Sequence, residues 1–440
     1  MGLQSAYLSY RETGVDFLGA LPEEWGVTRI ANVFEERKIL NRPDETLLSI
    51  DRYRGIIRQC DTGRKVRAPK DRAGYKLIEP NQLGYNILNA FMGSIGISRY
   101  RGIVSPAYAV ARLRTDQEPW YFHYLLRTGL YQRQFNRFSY GIMYERNRLY
   151  YDRFKVIPIP LPPKNDQEKI VSYLRAQDAH IARLIKAKRE LIGLLTEQKL
   201  GIIDHAVTRG LDASVRLKPS GIEWLGEVPE HWELLPLRRT LRVKSGDMID
   251  ASEETENGYP IYGGNGPRGF TKKANCVGPM LLIGRVGAKC GCVHRVEGRF
   301  WASEHALRVI PLRKFDLEYF EHLLRWIDFN RFAIRTAQPL INSTIVRSQP
   351  CAIPPLNEQQ AICRWIADEC LPLNEAIERA EGEIKLIREY RDRLIADVVT
   401  GQVDVRGWIP GPDDMAADEE LAALCDDEET DTDGDDDGDD

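Results

Sequence analysis

The sequence contains no run of about 20 consecutive apolar residues, the length that a membrane-spanning helix needs, although 43% of its 440 residues are hydrophobic. Its N-terminal stretch lacks the basic start and apolar core of a secretory signal. The eight cysteines are scattered, as expected of reduced thiols in a large protein that is not exported. We therefore expect a cytoplasmic protein of two or three domains.

The sequence also lacks the fingerprints of common enzyme chemistry. No glycine-rich cofactor loop follows an apparent strand, no Gly-Lys-Ser/Thr completes the glycine-rich stretch 261–273, and no helicase or nuclease motif is present. The tetrapeptide IPPL at 353–356 lacks the leading Asn or Asp of an amino-methyltransferase motif. We therefore expect neither catalytic residues nor a bound cofactor in this chain.

One short stretch leaves a metal site open. Cys290, Cys292 and His294 alternate along the sequence, so a strand would place them on one face, and with Cys276 they could bind zinc. Their spacing departs from the usual paired cysteines of zinc sites, and free cysteines are usually buried. Buried thiols are the favoured interpretation, and a metal-dependent enzyme is the alternative.

Basic residues are missing from the end of the chain. Residues 411–440 contain sixteen acidic residues and no lysine or arginine, whereas residues 1–410 hold 61 basic and 49 acidic residues, a net charge of +12. A block of like charges is typical of a disordered, solvated tail. It could alternatively compete for a basic groove, and the basic body is consistent with nucleic-acid binding.

The chain repeats itself. TGVDFLGALPEEW at 13–25 aligns without a gap with SGIEWLGEVPEHW at 220–232, and we call this stretch the tryptophan motif. PPKNDQEKI at 162–170 aligns with PPLNEQQAI at 354–362, and we call it the Pro-Pro motif. IIDHAVT at 202–208 matches LIADVVT, 192 residues further on. A period this long indicates a duplicated domain with pseudo-two-fold symmetry.

A long helix is predicted after each Pro-Pro motif, because apolar and register-setting polar positions step by four and three, the spacing of a coiled coil. An antiparallel pair of helices is favoured over two independent amphipathic helices, and about 40 residues would span about 60 Å. Pro372 is expected to break or kink the second helix. The predicted coiled-coil and partner interface consists of Ile170, Leu174, Ile181, Leu184, Leu191, Leu195, Ile362, Ile366, Leu373, Ile387 and Leu394.

The stretches between the motifs are predicted to be mixed. Residues 280–287 and 305–312 are typical of strands, and residues 120–135 and 315–329 are typical of amphipathic helices. We therefore expect an α+β fold with two globular domains in tandem, separated by the two helices. The predicted domains are a first globular domain at 1–160, a central helix at 161–210, a second globular domain at 211–352, a distal helix at 353–408 and the disordered acidic tail at 409–440.

Candidate nucleic-acid contacts lie in basic, glycine-rich or aromatic stretches of both globular regions. Residues 21–155 contain 24 basic and 14 acidic residues, and arginine and lysine suit phosphates, while arginine also reads guanine. A solvated surface or simple turns are the alternatives. The candidates are Arg52, Arg54, Arg64, Lys65, Arg67, Ser94, Arg99, Arg101, Tyr140, Arg146, Arg148, Gly264, Asn265, Arg268, Lys272, Lys273, Arg285, Lys289, Gln338 and Asn342.

The duplicated motifs resemble those of the specificity subunit of Type I restriction-modification enzymes, over roughly residues 13–408. This resemblance implies two target-recognition domains that each read one half of a split double-stranded DNA sequence. It also implies that the helices set the spacer and dock two modification subunits carrying S-adenosylmethionine chemistry. Restriction subunits that use ATP and Mg would then join them. Pro372 and the acidic tail depart from the family pattern. An assembly scaffold or anti-restriction decoy that no longer reads DNA is the second hypothesis.

Overall fold

The computed structural model describes residues 6–52, 54–62, 72–141, 147–335, 338–411 and 414. The chain divides into unit 1, which consists of Met1–Glu190 and Ala380–Asp440, and unit 2, which is Leu191–Arg379. Of the acidic stretch 409–440, only 409–411 and 414 belong to the described residues, so the predicted disorder of the tail concerns residues outside them.

The first half of the chain alternates short strands with short helices and then forms one long helix. Its elements are β1 (Tyr10–Glu12), β2 (Ala20–Pro22), β3 (Gly26–Arg29), α1 (Ile30–Val33), β4 (Phe34–Glu36), β5 (Leu48–Asp51), β6 (Gly55–Arg58), β7 (Lys76–Ile78), β8 (Leu83–Asn86), β9 (Ile95–Ile97), β10 (Gly102–Val104), β11 (Tyr108–Leu113), α2 (Pro119–Arg127), α3 (Gly129–Phe138), α4 (Tyr151–Phe154), β12 (Pro158–Leu161) and α5 (Lys164–Arg209).

The second half follows the same plan with more strands. Its elements are β13 (Leu217–Pro219), β14 (Glu227–Pro229), β15 (Glu233–Pro236), β16 (Leu241–Ser245), β17 (Glu254–Thr255), β18 (Tyr259–Gly263), β19 (Gly266–Thr271), β20 (Cys276–Val277), β21 (Met280–Gly284), β22 (Val293–Val296), β23 (Arg299–Ala302), β24 (Ala306–Pro311), α6 (Leu317–Ile327), α7 (Ser343–Ser348), β25 (Pro350–Ile353) and α8 (Leu356–Val399).

An antiparallel four-stranded sheet lies in each unit. The strand order is β4-β11-β8-β9 in unit 1 and β16-β24-β21-β22 in unit 2. Unit 2 adds a five-stranded sheet, β17-β19-β18-β23-β20, in which β18 and β23 are parallel. The mixed α+β fold predicted for each half is therefore confirmed, and the two halves differ in the strands added to a shared plan.

Two-stranded ribbons join the ends of each globular region. Strand β12, just before the first Pro-Pro motif, pairs with β3, just after the first tryptophan motif. Strand β25 pairs with β15 in the same way in unit 2. Each pairing brings the start and the end of a globular region together where a long helix begins.

Each core contains apolar residues from both long helices. In unit 1 the buried aromatic side chains pack with Ile170 and Leu174 of α5 and with Val398 of α8. In unit 2 the core includes Val207 of α5 and Ile362 of α8. Because each unit buries the start of one long helix and the end of the other, residues far apart in sequence form one core.

Polar contacts fix the direction of the helix pair. In unit 1 Asp178 Oδ1 lies 2.7 Å from Arg391 Nε, and Lys188 Nζ lies 2.5 Å from Glu383 Oε2. In unit 2 Lys199 Nζ donates to the Asn374 side-chain carbonyl at 2.7 Å. Advancing along α5 therefore means going back along α8, which confirms the predicted antiparallel packing within each unit.

Of the predicted break or kink at Pro372, the break is wrong, because α8 continues from Leu356 to Val399 with Pro372 inside it. Proline cannot donate to the carbonyl four residues earlier, which is that of Asp368. Both residues are exposed, so water can satisfy this carbonyl. The buried residues Ile366 and Cys370 lie on the opposite, packed side and hold the helix against the core.

Candidate nucleic-acid interface

The Pro-Pro motif builds the same joint in both units. The Gln167 amide donates to the carbonyl of Pro162 at 2.8 Å and accepts from the backbone N–H of Glu118 at 3.1 Å. Gln359 donates to the matching proline at 2.9 Å and accepts from the N–H of Asp316 at 2.8 Å. Glu118 and Asp316 are the N-caps of α2 and α6. The motif glutamine therefore ties the amphipathic helix of each unit to its long helix.

The tryptophan motif of unit 2 packs on the acidic residue of the Pro-Pro motif. The Trp232 indole N–H donates to Glu358 Oε1 at 3.0 Å, and the His231 ring lies 2.8 Å from Glu358 Oε2. Gly210, just after α5, has a φ of +71°, and a Cβ there would lie 3.2 Å from the Trp232 ring. Glycine is needed because other residues rarely adopt this backbone conformation.

The tryptophan motif of unit 1 has a matching environment. Trp25 is fully buried, and a Cβ on Gly401, just after α8, would lie 2.5 Å from Pro22 and 3.1 Å from Trp25. Burial raises the pKa of the neighbouring Asp166 carboxyl, and the Trp25 side chain partly opposes this. The repeated sequence therefore seats the end of one long helix beside the start of the other in each unit.

The first predicted contacts lie in the turn between β5 and β6 and in the segment before β9. Arg52 is exposed, while Arg54 donates to the Asp61 carbonyl at 2.9 Å and lies beside Asp51. Ser94 is buried. The sequence prediction missed the residue that joins these segments: Arg127 of α2 donates to the carbonyls of Gly93, Ile95 and Arg52 at 3.2, 2.7 and 3.0 Å.

The two arginines after β9 have different surroundings. Arg101 forms ion pairs of 2.9 Å with both Glu45 and Glu79. The exposed Arg99 guanidinium lies 4.7 Å from the centre of the Trp120 ring. Arg101 must therefore exchange carboxylates for a phosphate before it can contact DNA, whereas the Arg99 guanidinium stacks on an aromatic face.

The stretch before the first Pro-Pro motif is partly described. Tyr140 is half exposed and packs against Tyr150, with 5.5 Å between the centres of the two tilted rings. Arg148 donates to the Tyr150 hydroxyl at 3.2 Å. The other predicted contacts in this half lie outside the described residues, namely Arg64, Lys65, Arg67 and Arg146.

In unit 2 the predicted glycine-rich loop is the turn between β18 and β19. Gly264 and the exposed Asn265 form its tip, and Lys272 is exposed at its far end. Arg268 pairs with Glu254 at 3.0 Å and Lys273 with Glu253 at 2.8 Å. Arg268 and Lys273 are therefore both held by carboxylates, as Arg101 is in unit 1.

The remaining predicted contacts of unit 2 surround the segment after β21. Arg285 donates to the Glu304 carbonyl at 3.3 Å, and its own carbonyl accepts from Ile341 at 2.8 Å. Lys289 and Gln338 are exposed. The Asn342 side chain caps α7 by accepting from the Ile345 N–H at 2.9 Å, which gives it a structural role in the free chain.

The cysteine–histidine stretch does not assemble a metal site. Cys292 Sγ lies 3.2 Å from His294 Nε2, Cys290 is buried, and burial raises the pKa of both thiols. Among the described residues, the group of three possible ligands that lie close together is elsewhere: Asp316, Glu318 and Cys363. There Asp316 is occupied in capping α6.

The predicted coiled-coil residues fall into three groups. Those buried in a core are Ile170, Leu174, Ile181, Ile362, Ile366 and Leu394, and the partly buried ones are Leu195, Leu373 and Ile387. Leu184 and Leu191 are 46% and 41% exposed, so they leave apolar surface on the helices. Across the described ranges, no helix is long and apolar enough to cross a membrane.

Two mixed α+β units, each with the same joint at its Pro-Pro motif and an antiparallel pair of long-helix segments, define a tandem-domain scaffold. The Type I restriction modification DNA specificity domain matches the chain twice, over residues 22–193 and 229–370. The chain belongs to this family.

Individual specificity subunits are also similar to this chain in sequence. The putative type I restriction enzyme MjaX specificity subunit of Methanocaldococcus jannaschii is 33% identical over 310 residues, covering 66% of this chain and 69% of that protein. The Type I restriction enzyme EcoprrI specificity subunit of Escherichia coli is 37% identical over 107 residues, 24% of this chain. The chain spans 26% of the length of the EcoprrI subunit and, at 24% identity, 64% of the MjaVIII subunit of M. jannaschii.

A solved structure shares the fold. A chain from a study of complex assembly and conformational transition of the type I R-M system superposes with a TM-score of 0.62 at 14% sequence identity, covering 86% of this chain and 98% of that one. This likeness supports the two-domain fold with long helices.

Proposed function

We propose that this chain is the DNA-specificity subunit of a Type I restriction-modification system and that each unit reads one half of an asymmetric, split DNA target. The main observation behind this proposal is that the contacts made by the Pro-Pro and tryptophan motifs occur in both units, whereas the strands between these motifs differ from one unit to the other. A duplicated scaffold that presents two unlike surfaces suits a target of two unlike halves, as a symmetric dimer suits a palindrome.

The candidate residues named from the sequence would supply the phosphate and base contacts. Most of the described cationic candidates with a carboxylate partner are at least a third exposed, so exchanging that partner for a phosphate costs little. Within the proposed recognition domains at 1–160 and 211–352, arginines would fix the duplex through phosphates and read guanine edges.

The helices at 161–210 and 353–408 would set the spacer and bind two modification subunits, through which restriction subunits join. Exposed leucines such as Leu184 and Leu191 provide apolar surface of the kind that partner helices cover. The chain itself would be non-catalytic, with S-adenosylmethionine, ATP and Mg bound by the partners. Its place would be the cytoplasm, at the nucleoid through DNA.

The test is co-expression with the modification subunits, followed by methylome sequencing of the host. A split motif methylated in both halves is the expected result. Exchanging residues 227–352 for the matching stretch of a relative should then change one half of the motif and leave the other intact. A complex that forms but leaves the methylome blank would favour the non-reading decoy, and a change in both halves would contradict independent readers.

A further inference from the structure

Two exposed arginines of unit 1 stack on one shared aromatic ring. The Arg99 and Arg175 guanidinium carbons lie 4.7 and 5.1 Å from the centre of the same Trp120 ring. Arg58 lies 4.9 Å from the Tyr100 ring. Arg58, Arg99 and Arg175 are exposed. An arginine stacked on a ring is held in place by cation–π attraction and can still offer its planar N–H fork to an anion.

Apart from its stacking on Trp120, Arg175 is exposed to solvent. It projects from α5, a helix outside the predicted contacts, and among the described residues no carboxylate pairs with it. Arg101, by contrast, pairs with two glutamates. A positively charged side chain that is oriented but unneutralised has its bidentate donors available for an anion.

The positions of Trp120 and Arg175 are fixed by residues one helical turn further along α2 and α5. The Tyr124 hydroxyl of α2 donates to Asp178 Oδ2 of α5 at 2.9 Å, and Asp178 is bound by Arg391 at 2.7 Å. Since residues three or four apart share a helix face, this buried contact sets Trp120 beside Arg175. The arrangement is therefore pre-organised in the free chain.

The local field is positive as well. His123 lies next to Trp120, with 4.9 Å between ring centres, and its Nδ1 accepts from the Ile97 N–H at 3.2 Å. Burial lowers the pKa of His123, and Arg127, Arg99, Arg391 and Arg175 lower it further. Of these four arginines, Arg391 pairs with Asp178, whereas Arg99 and Arg175 are exposed and place positive charge at the surface, where it favours an anion.

We propose that Arg99 and Arg175, aligned by Trp120, form a binding site for a backbone phosphate of the DNA at the edge of unit 1. The site rests on the proposed function and adds a contact from the long helix α5 to those from the recognition loops. Unit 2 lacks the arrangement, because the position matching Trp120 in α6 is Glu318 and the position matching Arg175 in α8 is Ala367. The contact is therefore one-sided.

The experiment compares the full complex with modification subunits, carrying wild-type or variant chain, on cognate and scrambled duplexes at a series of salt concentrations. A lost phosphate contact lowers the slope of log K against log salt by about 0.9 and weakens all sequences alike. R99A and R175A should each lower this slope by about one and weaken binding to both duplexes by a similar factor of about 3–10. R175K should retain part of the binding, because it keeps the charge without the stacked fork.

The matched control is R393A, which removes an 84% exposed arginine from α8 of the same unit and should leave the slope unchanged. An R175A slope equal to that of the wild type overturns the phosphate site. Selective loss on the cognate duplex alone also overturns it, because that outcome marks a base contact. Failure of the proposed function is distinguishable, since the wild type would then bind cognate and scrambled duplexes equally while the slopes remain measurable.

Discussion

Asp178 and Arg391 form a two-point ion pair between the long helices of unit 1, with 2.7 Å from Nε to Oδ1 and 3.3 Å from Nη2 to Oδ2. By the sequence repeat of the helices, their counterparts in unit 2 are Cys370 and Lys199. Lys199 instead donates to the Asn374 side chain. The two ends of the helix pair therefore share a plan but differ in chemistry.

Breaking this pair should destabilise unit 1. D178A leaves the Arg391 guanidinium and the Tyr124 hydroxyl without their acceptor, and removing one partner of a buried pair costs about 3 kcal/mol. Urea denaturation of the purified chain measures the effect. The control K188A removes a more exposed pair with Glu383 and should cost less than about 1 kcal/mol. Equal losses in the two variants would show that the Asp178 pair contributes no more than a surface contact.

Under the proposed function, Arg127 should control the half of the target that unit 1 is proposed to read. R127A removes the donors that hold Gly93, Ile95 and Arg52, so the loops before β6 and β9 lose their common anchor. We expect binding to duplexes altered in that half-site to approach binding to the intact duplex, with discrimination in the other half retained.

The reciprocal control is R325A, at the matching position of α6. The Arg325 guanidinium donates to the Val293 carbonyl at 3.3 Å. R325A should therefore reduce discrimination in the other half-site, the one that unit 2 is proposed to read. If both variants weaken both halves equally, Arg127 acts on general stability and has no specific positioning role.

The stability of unit 2 should depend on pH through His322. Burial, together with Arg325 and Lys199, lowers the pKa of His322 from 6.5 to about 4. Between these values the unfolded chain binds a proton that the folded chain does not, so the free energy of unfolding falls as pH is lowered from 6.5 to 4. At pH 5 this decrease in the free energy of unfolding is on the order of 2 kcal/mol, and H322Q should abolish it. Denaturation at pH 7.5, 6 and 5 measures it, and parallel pH profiles for the two chains would contradict it.

Removing the acidic tail should strengthen non-specific DNA binding. Residues 415–440 contain fourteen acidic residues and no basic ones, whereas residues 1–410 carry a net charge of +12. Asp414, just before the tail, lies 2.6 Å from His180 of α5. A chain ending at 414 should bind scrambled duplex several-fold more tightly at low salt, with the difference shrinking as salt screens the tail. A second variant with the tail acids replaced by amides separates charge from length. Unchanged affinity in both variants would indicate that the tail is a solvated end without effect on DNA binding.

Part of the fold followed directly from sequence patterns. The spacing of Ile170, Leu174 and Ile181 predicted a helix with one packed face, and the repeated motifs predicted two similar units. Leu184 continues that spacing but is 46% exposed, whereas the adjacent Ile185 is fully buried, so the packed face of α5 shifts by one residue there. Pro372 led to the wrong prediction of a helix break. The free-energy cost of a proline inside a helix depends on whether the carbonyl it leaves without a donor is exposed to water, and local sequence does not give that exposure.

The candidate interface was less predictable. Gln167 and Gln359 lie in the repeated Pro-Pro motif, but their role depends on the N–H groups of Glu118 and Asp316, which lie 49 and 43 residues earlier in the sequence. The aromatic support of Arg99 comes from Trp120, and its neighbour Arg175 comes from a third segment. Charge composition identified a basic region without indicating which arginines are neutralised by carboxylates.

The sequence by itself determined that the chain is a duplication, that two long helices follow the Pro-Pro motifs, and that its body is basic, because repeats, periodicity and charge are properties of residue order. Only the tertiary structure decided which arginines pair with carboxylates and which stack on aromatic rings. It also decided that each unit contains the start of one long helix and the end of the other. Those outcomes depend on distances between residues up to several hundred positions apart, such as the Tyr10 hydroxyl bound to the Gly401 carbonyl at 3.0 Å, and such distances are set by packing of the whole core.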